Sequence, residues 1–512
     1  MPSPVVSLGS YLLQLLRPGR MRKALARSAQ VIRLGGLRAV HEKLQEKIWL
    51  GSGPPGPKQY ARWIHLYDTP SERDHASLRA RVAALSRKPL VSIVTTDRAG
   101  AEEMLREQIY PEWEVCAAPG DARGELMTEI DKGDRLPPHA LALAVEKLVS
   151  DPGIDVIYSD EDLIDHDGRR SEPLFKPDWN AELARVSDYA KRLAISRTGA
   201  VRTEARVAHL PYVLYHRRIK PEFEARRIRY PLPAERPLVS VIIPTRDGGA
   251  VLERCIETLR LTSWPRLEVI VVDNQSRDPR TLRFLAGMKR VLKFDRPFNY
   301  SAINNLAVRE ARGELICLLN DDIEIIAPEW LEEMASHALR PEVGAVGAKL
   351  LYPDGRVQHG GVGLGLLGLA GHLHRGLPGN EPGYMGRAQL AQELSAVTAA
   401  CLVIRKQTFE AMGGFDEVNL PISFNDVDLC LRIRESGLRN IFTPHAVLVH
   451  HESLSRGADD TAEKIARADR EAAFMRNRWG ALLEADPAYN PNLSIWTENF
   501  GIAWPPRVPR PW

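Results

Sequence analysis

The sequence predicts an α/β chain that carries two versions of one open-sheet unit, on three observations. Lys88-Pro-Leu-Val-Ser-Ile-Val-Thr-Thr-Asp97 echoes Arg236-Pro-Leu-Val-Ser-Val-Ile-Ile-Pro-Thr245. Each is followed by a helical stretch and then a Pro-led strand, Tyr110-Pro-Glu-Trp-Glu-Val115 in one and Trp264-Pro-Arg-Leu-Glu-Val269 in the other. Asp167-Gly168-Arg169 and Asp354-Gly355-Arg356 each come just after an apolar strand. Strand, helix and strand repeated in one order imply a duplicated α/β unit. The spacing is 148 residues from Pro89 to Pro237 but 187 from Asp167 to Asp354. The first copy is therefore shortened, and the loss falls between Val115 and Leu136.

Length and composition set the frame. A chain of 512 residues accommodates several domains of about 100–200 residues each. At 44% hydrophobic and 26% charged it is globular, and its net charge of +3 argues against a nucleic-acid-coating protein. The cysteines Cys116, Cys255, Cys317, Cys401 and Cys430 lie far apart with no C-x-x-C pair, which suits a reducing compartment and a cytoplasmic location. No window reaches 18 consecutive apolar residues, the length of a transmembrane helix.

Four segments follow: a basic helical N-terminal segment (1–88), a truncated unit (89–220), a complete unit (236–480) and a Pro-rich tail (481–512) expected to lie extended on the surface. Within residues 1–50, nine Lys/Arg against Glu42 and Glu46 give +7, leaving −4 for the rest. Apolar residues recur there at helical spacing, so this stretch either packs on the next domain or contacts an anionic membrane peripherally.

In the complete unit, 239–244 and 269–273 are continuous β-branched runs, and 315–319 is a third apolar run. Such runs suit parallel strands buried on both faces. All three end in oxygen-bearing side chains: Thr245 and Asp247, Asp273 and Asn274, then Asn320, Asp321 and Asp322. Open α/β sheets bind ligands beyond the C-terminal ends of such strands. Adjacent carboxylates repel unless a cation neutralises them, and Mg²⁺ or Mn²⁺ suits them; the alternative is a cap for a helix near Pro328. Asp426 falls on the first turn of a second helix, as a cap or as a general base. His450 ends an apolar strand, as a structural residue or a metal ligand. The glycine-rich segment around His359, His372 and His374 reads as a mobile loop or lid.

These residues are familiar together. Pro237-Leu-Val-Ser-Val-Ile-Ile-Pro-Thr245, Val271-Val-Asp-Asn-Gln-Ser276, Asn299-Tyr-Ser-Ala-Ile-Asn-Asn305, Leu319-Asn-Asp-Asp322, Ala396–Cys401, Gly413-Gly-Phe-Asp416 and Asn425-Asp-Val-Asp428 occur in order. Residues 237–456 thereby resemble the family 2 inverting glycosyltransferases, in particular bacterial rhamnosyltransferase-like enzymes of cell-surface polysaccharides. The resemblance implies a GT-A fold with a Rossmann-like sheet. It also implies transfer of a sugar, rhamnose among them, from a UDP- or dTDP-sugar to a hydroxyl of a glycan or lipid-linked acceptor. It assigns Pro244, Thr245, Arg246, Asp273, Asn274, Asn304 and Asp321 to the donor, Asp322 and His450 to Mg²⁺ or Mn²⁺, and Asp426 to catalysis as base. Two departures stand out: Asn320 replaces the first carboxylate of the family's D-x-D, and Asn425 replaces the Glu before the base.

The first copy carries Asp131-Lys-Gly-Asp134 at the corresponding place and nothing like Asn425-Asp426, so it is expected to be inactive. Two other readings compete. A nucleotidyltransferase needs a basic Gly-rich loop, whereas Thr245-Arg-Asp-Gly-Gly249 holds one Arg and no Lys. A non-catalytic glycan-assembly scaffold has no use for intact Asp322, Asp426 and His450.

Overall fold

A computed structural model describes residues 57–197, 205–222, 226–451 and 461–512. The basic stretch 1–50, with its membrane-or-packing alternatives, lies outside them. The first unit contains β1 (Val91–Val94), β2 (Trp113–Cys116), β3 (Leu126–Glu129), β4 (Val156–Ile164), β5 (Arg170–Leu174), β6 (Ala194–Arg197) and β7 (Val207–Arg217). The second contains β8 (Val239–Thr245), β9 (Leu267–Asp273), β10 (Val291–Lys293), β11 (Leu315–Leu319), β12 (Ile323–Ile325), β13 (Val343–Leu351), β14 (Val357–His359), β15 (Val362–Leu364), β16 (Ala370–His372), β17 (Gln392–Leu394), β18 (Cys401–Arg405) and β19 (Arg439–His450).

The two main sheets share one plan. The first runs β2-β1-β3-β6-β4-β5, with β7 also on β4; the second runs β10-β9-β8-β11-β18-β13-β19-β12, with β14 on β13. β2-β1-β3 are parallel, as are β9-β8-β11. β6 is antiparallel to both β3 and β4, and β18 is antiparallel to both β11 and β13. β4 then pairs in parallel with β7, and β13 with β19. What the first unit lacks sits between β2 and β3. There the second unit inserts the helix Pro279–Ala286, β10 and the helix Tyr300–Glu310.

The apolar runs become strands because alternate side chains feed opposite cores. Ile242, Ile270, Ile316 and Leu318 pack with Ile303 and Ala307 of the helix Tyr300–Glu310 on one face. Val241, Ile243, Val271, Leu315 and Cys317 pack with Leu252 and Ile256 of the helix Gly249–Leu259 on the other. With each side chain contributing about 1.5–3 kcal/mol on burial, this double layer fixes where the strand ends lie.

Three expectations are corrected. The tail does not lie extended on the surface: Tyr489, Asn490, Leu493, Trp496, Phe500 and Trp504 are buried. Its asparagines serve as internal hydrogen-bond partners: Asn490 Nδ2 donates to both Asp160 oxygens at 3.0 Å and to the Lys176 carbonyl at 2.7 Å. The boundary at 480 also falls inside a helix, Ala462–Glu484. The glycine-rich segment is not a loose loop but packed structure, with β15 and β16 paired and His359 and His374 buried. Apolar side chains between its glycines (Val362, Leu364, Leu366, Leu373) enter the main core. Among the described residues, no helix is long and apolar enough to cross a membrane, and all five cysteines are free and buried.

Candidate active site

β8 and β9 pair so that Thr245 lies beside Asp273, and β11 ends next to them at the Asn320-Asp321-Asp322 turn. Thr245 donates its hydroxyl to Asp321 Oδ2 at 2.7 Å. Gly248 is required above this pair, because a Cβ there would lie 2.6 Å from Thr245 Oγ1 and 2.8 Å from Asp321 Oδ2. Burial pushes the Asp321 carboxyl up to about 7; the Asp322 charge adds to this, and the Thr245 hydrogen bond opposes it. Two buried carboxylates side by side are an arrangement that a cation stabilises.

The cap alternative for this pair fails. The helix near Pro328 spans Trp330–Ala338, its N-cap is Glu329, and β12 intervenes. β12 pairs with β19 so that Ile323 lies opposite His450. This brings His450 Nε2 to 3.1 Å from Asp322 Oδ1. The two approach without hydrogen-bond alignment: Asp322 Oδ1 and His450 Nδ1 are buried and lack a hydrogen-bond partner among the described residues. A carboxylate and an imidazole nitrogen this close, with no hydrogen bond between them, form a donor pair suited to a divalent cation. No group of three or more ligating side chains that could hold a metal ion occurs among the described residues.

Asp426 sits on the first turn of the helix Asn425–Glu435, whose N-cap is Phe424 in a left-handed conformation. It is not the cap. Asp426 Oδ2 accepts the Ala399 N–H at 3.0 Å and Oδ1 the Val427 N–H at 2.8 Å. Burial raises its carboxyl above the usual range, although these backbone donors counter it. The adjacent Ala400 carbonyl accepts the Asn320 N–H at 3.0 Å, which ties the Asp426 helix to the carboxylate turn. Asn425, where a Glu was expected, donates to Ser301 Oγ at 3.0 Å.

The remaining assignments divide. Burial would raise the Asp273 carboxyl, yet the Lys293 ammonium at 2.5 Å and Ser276 hold it below the usual range. Asn274 N–H donates to the Thr245 carbonyl at 2.9 Å, and Asn274 Oδ1 is a buried acceptor without a partner among the described residues. Pro244 is buried inside β8 beside Val272, and Arg246 is exposed just beyond the strand. Asn304 Nδ2 donates to the Tyr300 carbonyl at 2.8 Å within its own helix, its side chain also bears on the Tyr300 phenol, and its Oδ1 is buried without a hydrogen-bond partner among the described residues.

Sequence reasoning missed Tyr300. Its hydroxyl hydrogen-bonds to Asn320 Oδ1 at 3.2 Å and to the Ala399 carbonyl at 3.1 Å. Burial, with the Asp426, Asp322 and Asp321 charges, raises its phenol well above the ordinary value. The available signal was Asn299, which caps this helix by accepting the Ala302 N–H and so fixes Tyr300 at its first position.

Residues 240–412 match the family model described as Glycosyl transferase family 2. Over this segment the chain is similar to the family 2 glycosyltransferases. The family resemblance expected for residues 237–456 is borne out over residues 240–412, and the expected α/β class is seen in the sheet order of the second unit. The chain is similar to an uncharacterized protein of Sinorhizobium fredii, 41% identical over 454 residues, covering 75% of this chain and 50% of that protein. It is also 32% identical over 566 aligned positions to the O-antigen biosynthesis protein RfbC of Myxococcus xanthus, covering 88% and 44%. An N-acetylglucosaminyl-diphospho-decaprenol L-rhamnosyltransferase of Mycobacterium tuberculosis is 25% identical over 264 residues, covering 47% of this chain and 85% of the enzyme. The chain spans about half the length of the first two relatives.

Proposed function

We propose that the second unit is an inverting glycosyltransferase that moves a sugar from a nucleoside-diphosphate donor to an acceptor hydroxyl in cell-surface polysaccharide assembly. The observation that carries this reading is the link from the Asn320–Asp322 turn through Ala400 and Ala399 to Asp426, with Asp322 against His450. This link supports reading Asp426 as the base and Asp322 with His450 as the diphosphate-metal site of one cleft.

Asp426, held toward the ionised form by two backbone N–H groups, takes the proton of the acceptor hydroxyl. The hydroxyl oxygen attacks the anomeric carbon, the bond to the nucleoside diphosphate breaks on the opposite face, and configuration inverts. Asp322 and His450 would hold Mg²⁺ or Mn²⁺, which supplies charge neutralisation for the departing diphosphate. Asp321, Thr245, Asp273 and Asn274 line the donor end, and their polar groups suit a base and ribose.

The names of the Myxococcus and Mycobacterium relatives support a polysaccharide or lipid-linked acceptor and rhamnose as the sugar. The donor is then a UDP- or dTDP-sugar. The test is thermal shift of the full chain against UDP, dTDP, GDP and CDP, with and without Mn²⁺, followed by turnover with the matching sugar. A metal-dependent shift with one nucleotide supports the reading. No shift and no turnover would favour the scaffold instead.

A further inference from the structure

We propose that the first unit binds a phosphate or diphosphate group without a metal ion, at the strand ends that correspond to the catalytic cleft of the second unit. Strand register makes the correspondence explicit. Val91 pairs with Leu126 as Val239 pairs with Leu315, so five residues further on Asp131, Lys132 and Gly133 occupy the places of Asn320, Asp321 and Asp322. Leu126 pairs with Arg197 as Leu315 pairs with Arg405, which puts Arg192 in the place of Ala400. Asp162 pairs with His216 as Leu351 pairs with Val449, so Arg217 stands where His450 does. Of these five places, three now hold cations (Lys132, Arg192 and Arg217), one a carboxylate (Asp131) and one a glycine (Gly133). The site has lost its metal ligands and inverted its charge.

Arg192 points to the ligand. It is 7% exposed and its guanidinium lies over the Tyr215 ring, yet only its Nη2 has a hydrogen-bond partner, Asp131. Nε and Nη1 are buried with no hydrogen-bond partner among the described residues. A buried guanidinium with unused N–H groups is costly unless an anion completes it, and phosphate oxygens match its planar donor geometry. Lys132 is exposed beside Asp131, and no hydrogen bond or ion pair engages its ammonium among the described residues. The nearby carboxylates are already committed. Asp134 accepts from Tyr215 and from the Arg218 N–H, and Glu161 is shared by Lys176 and Arg217. Asp131, 56% exposed at its side chain and paired with Arg192, is the carboxylate that an entering phosphate displaces.

The test is isothermal titration of the full chain in EDTA with inorganic diphosphate and farnesyl diphosphate as separate probes. We expect metal-free binding to be weakened about tenfold or more in Arg192→Gln, weakened in Lys132→Glu, and unchanged in Asp322→Ala. Lys132→Glu alters an exposed side chain, so it reads the site even if Arg192→Gln fails to fold. Tighter binding of farnesyl diphosphate identifies a lipid diphosphate as the source; equal or tighter binding of inorganic diphosphate identifies a soluble one. Absence of metal-free binding, or binding insensitive to both first-unit variants, overturns the proposal, as does binding abolished by Asp322→Ala. Because Asp322→Ala is silent here but disables the second unit, this failure is distinguishable from failure of the catalytic reading.

Discussion

The Tyr300 hydroxyl hydrogen-bonds to Asn320 Oδ1 at 3.2 Å, joining the first turn of one helix to the residue that replaces an expected carboxylate. The same hydroxyl reaches the Ala399 carbonyl, whose own N–H donates to Asp426. One phenol therefore braces both the carboxylate turn and the loop that aims the candidate base. Removing it should misplace chemistry more than it harms folding. Tyr300→Phe is expected to lower kcat about tenfold or more, with a stability loss of about 1 kcal/mol. Steady-state kinetics beside a urea melt checks this; an unchanged kcat removes Tyr300 from the site's support.

Asp426→Asn is nearly isosteric but cannot accept a proton. Loss of a general base costs about 10²–10⁴ in rate, so turnover should collapse while nucleotide binding persists. The pH profile gives a second reading. Burial raises the Asp426 carboxyl, and only its ionised form is a base. Activity should therefore fall as pH drops through that raised value, on the alkaline side of an ordinary carboxylate limb. A rate at low pH as high as at neutrality would exclude Asp426 as base.

Metal dependence is predicted at Asp322 and His450 rather than at Asp321. EDTA should abolish turnover, and Mn²⁺ or Mg²⁺ should restore it. In Asp322→Ala the metal-dependent part of the nucleotide-induced Tm shift should vanish, whereas a Thr245→Val chain should keep it, because the Thr245 hydroxyl bonds to Asp321 and not to Asp322 or His450. Thermal shift with and without metal separates the two variants.

How far the sequence revealed this depends on how local each cause is. Thr245, Asp273 and Asn320–Asp322 were legible because continuous apolar runs mark parallel strands, and such strands deliver their next residues to one edge. His450 was legible as a strand end, but its approach to Asp322 rests on β12 pairing with β19, a contact between distant segments. The cap reading of Asp321–Asp322 failed for the same reason, since three residues of β12 were invisible in an Asp-rich turn. Tyr300 looked like one more aromatic residue on an amphipathic helix. The tail misled most: prolines suggest an extended surface segment, yet Asn490 and Asp486 are buried partners for groups hundreds or scores of residues away. Asp486 accepts the Leu364 N–H at 2.7 Å and the Ser395 hydroxyl at 2.5 Å. Composition carries no trace of such pairings.

Acid stability should report a different site, on the helix Trp330–Ala338. Burial alone would raise the Glu333 carboxyl. However, His337, the Arg227 guanidinium at 2.6 Å and the Thr443 hydroxyl at 2.8 Å hold it down at about 2, against an ordinary 4.5. A carboxyl whose pKa is depressed by folding stabilises the native state fully above its unfolded value, and that contribution drains away as pH falls toward the folded value. Between about pH 5 and 2, Glu333 should therefore account for about 2–3 kcal/mol of lost stability. Glu333→Gln should be less stable than the parent at neutral pH and should lose less on acidification, so the two urea-melt curves converge toward pH 2. Parallel curves across that range would show that Glu333 is not held in its ionised form by these partners.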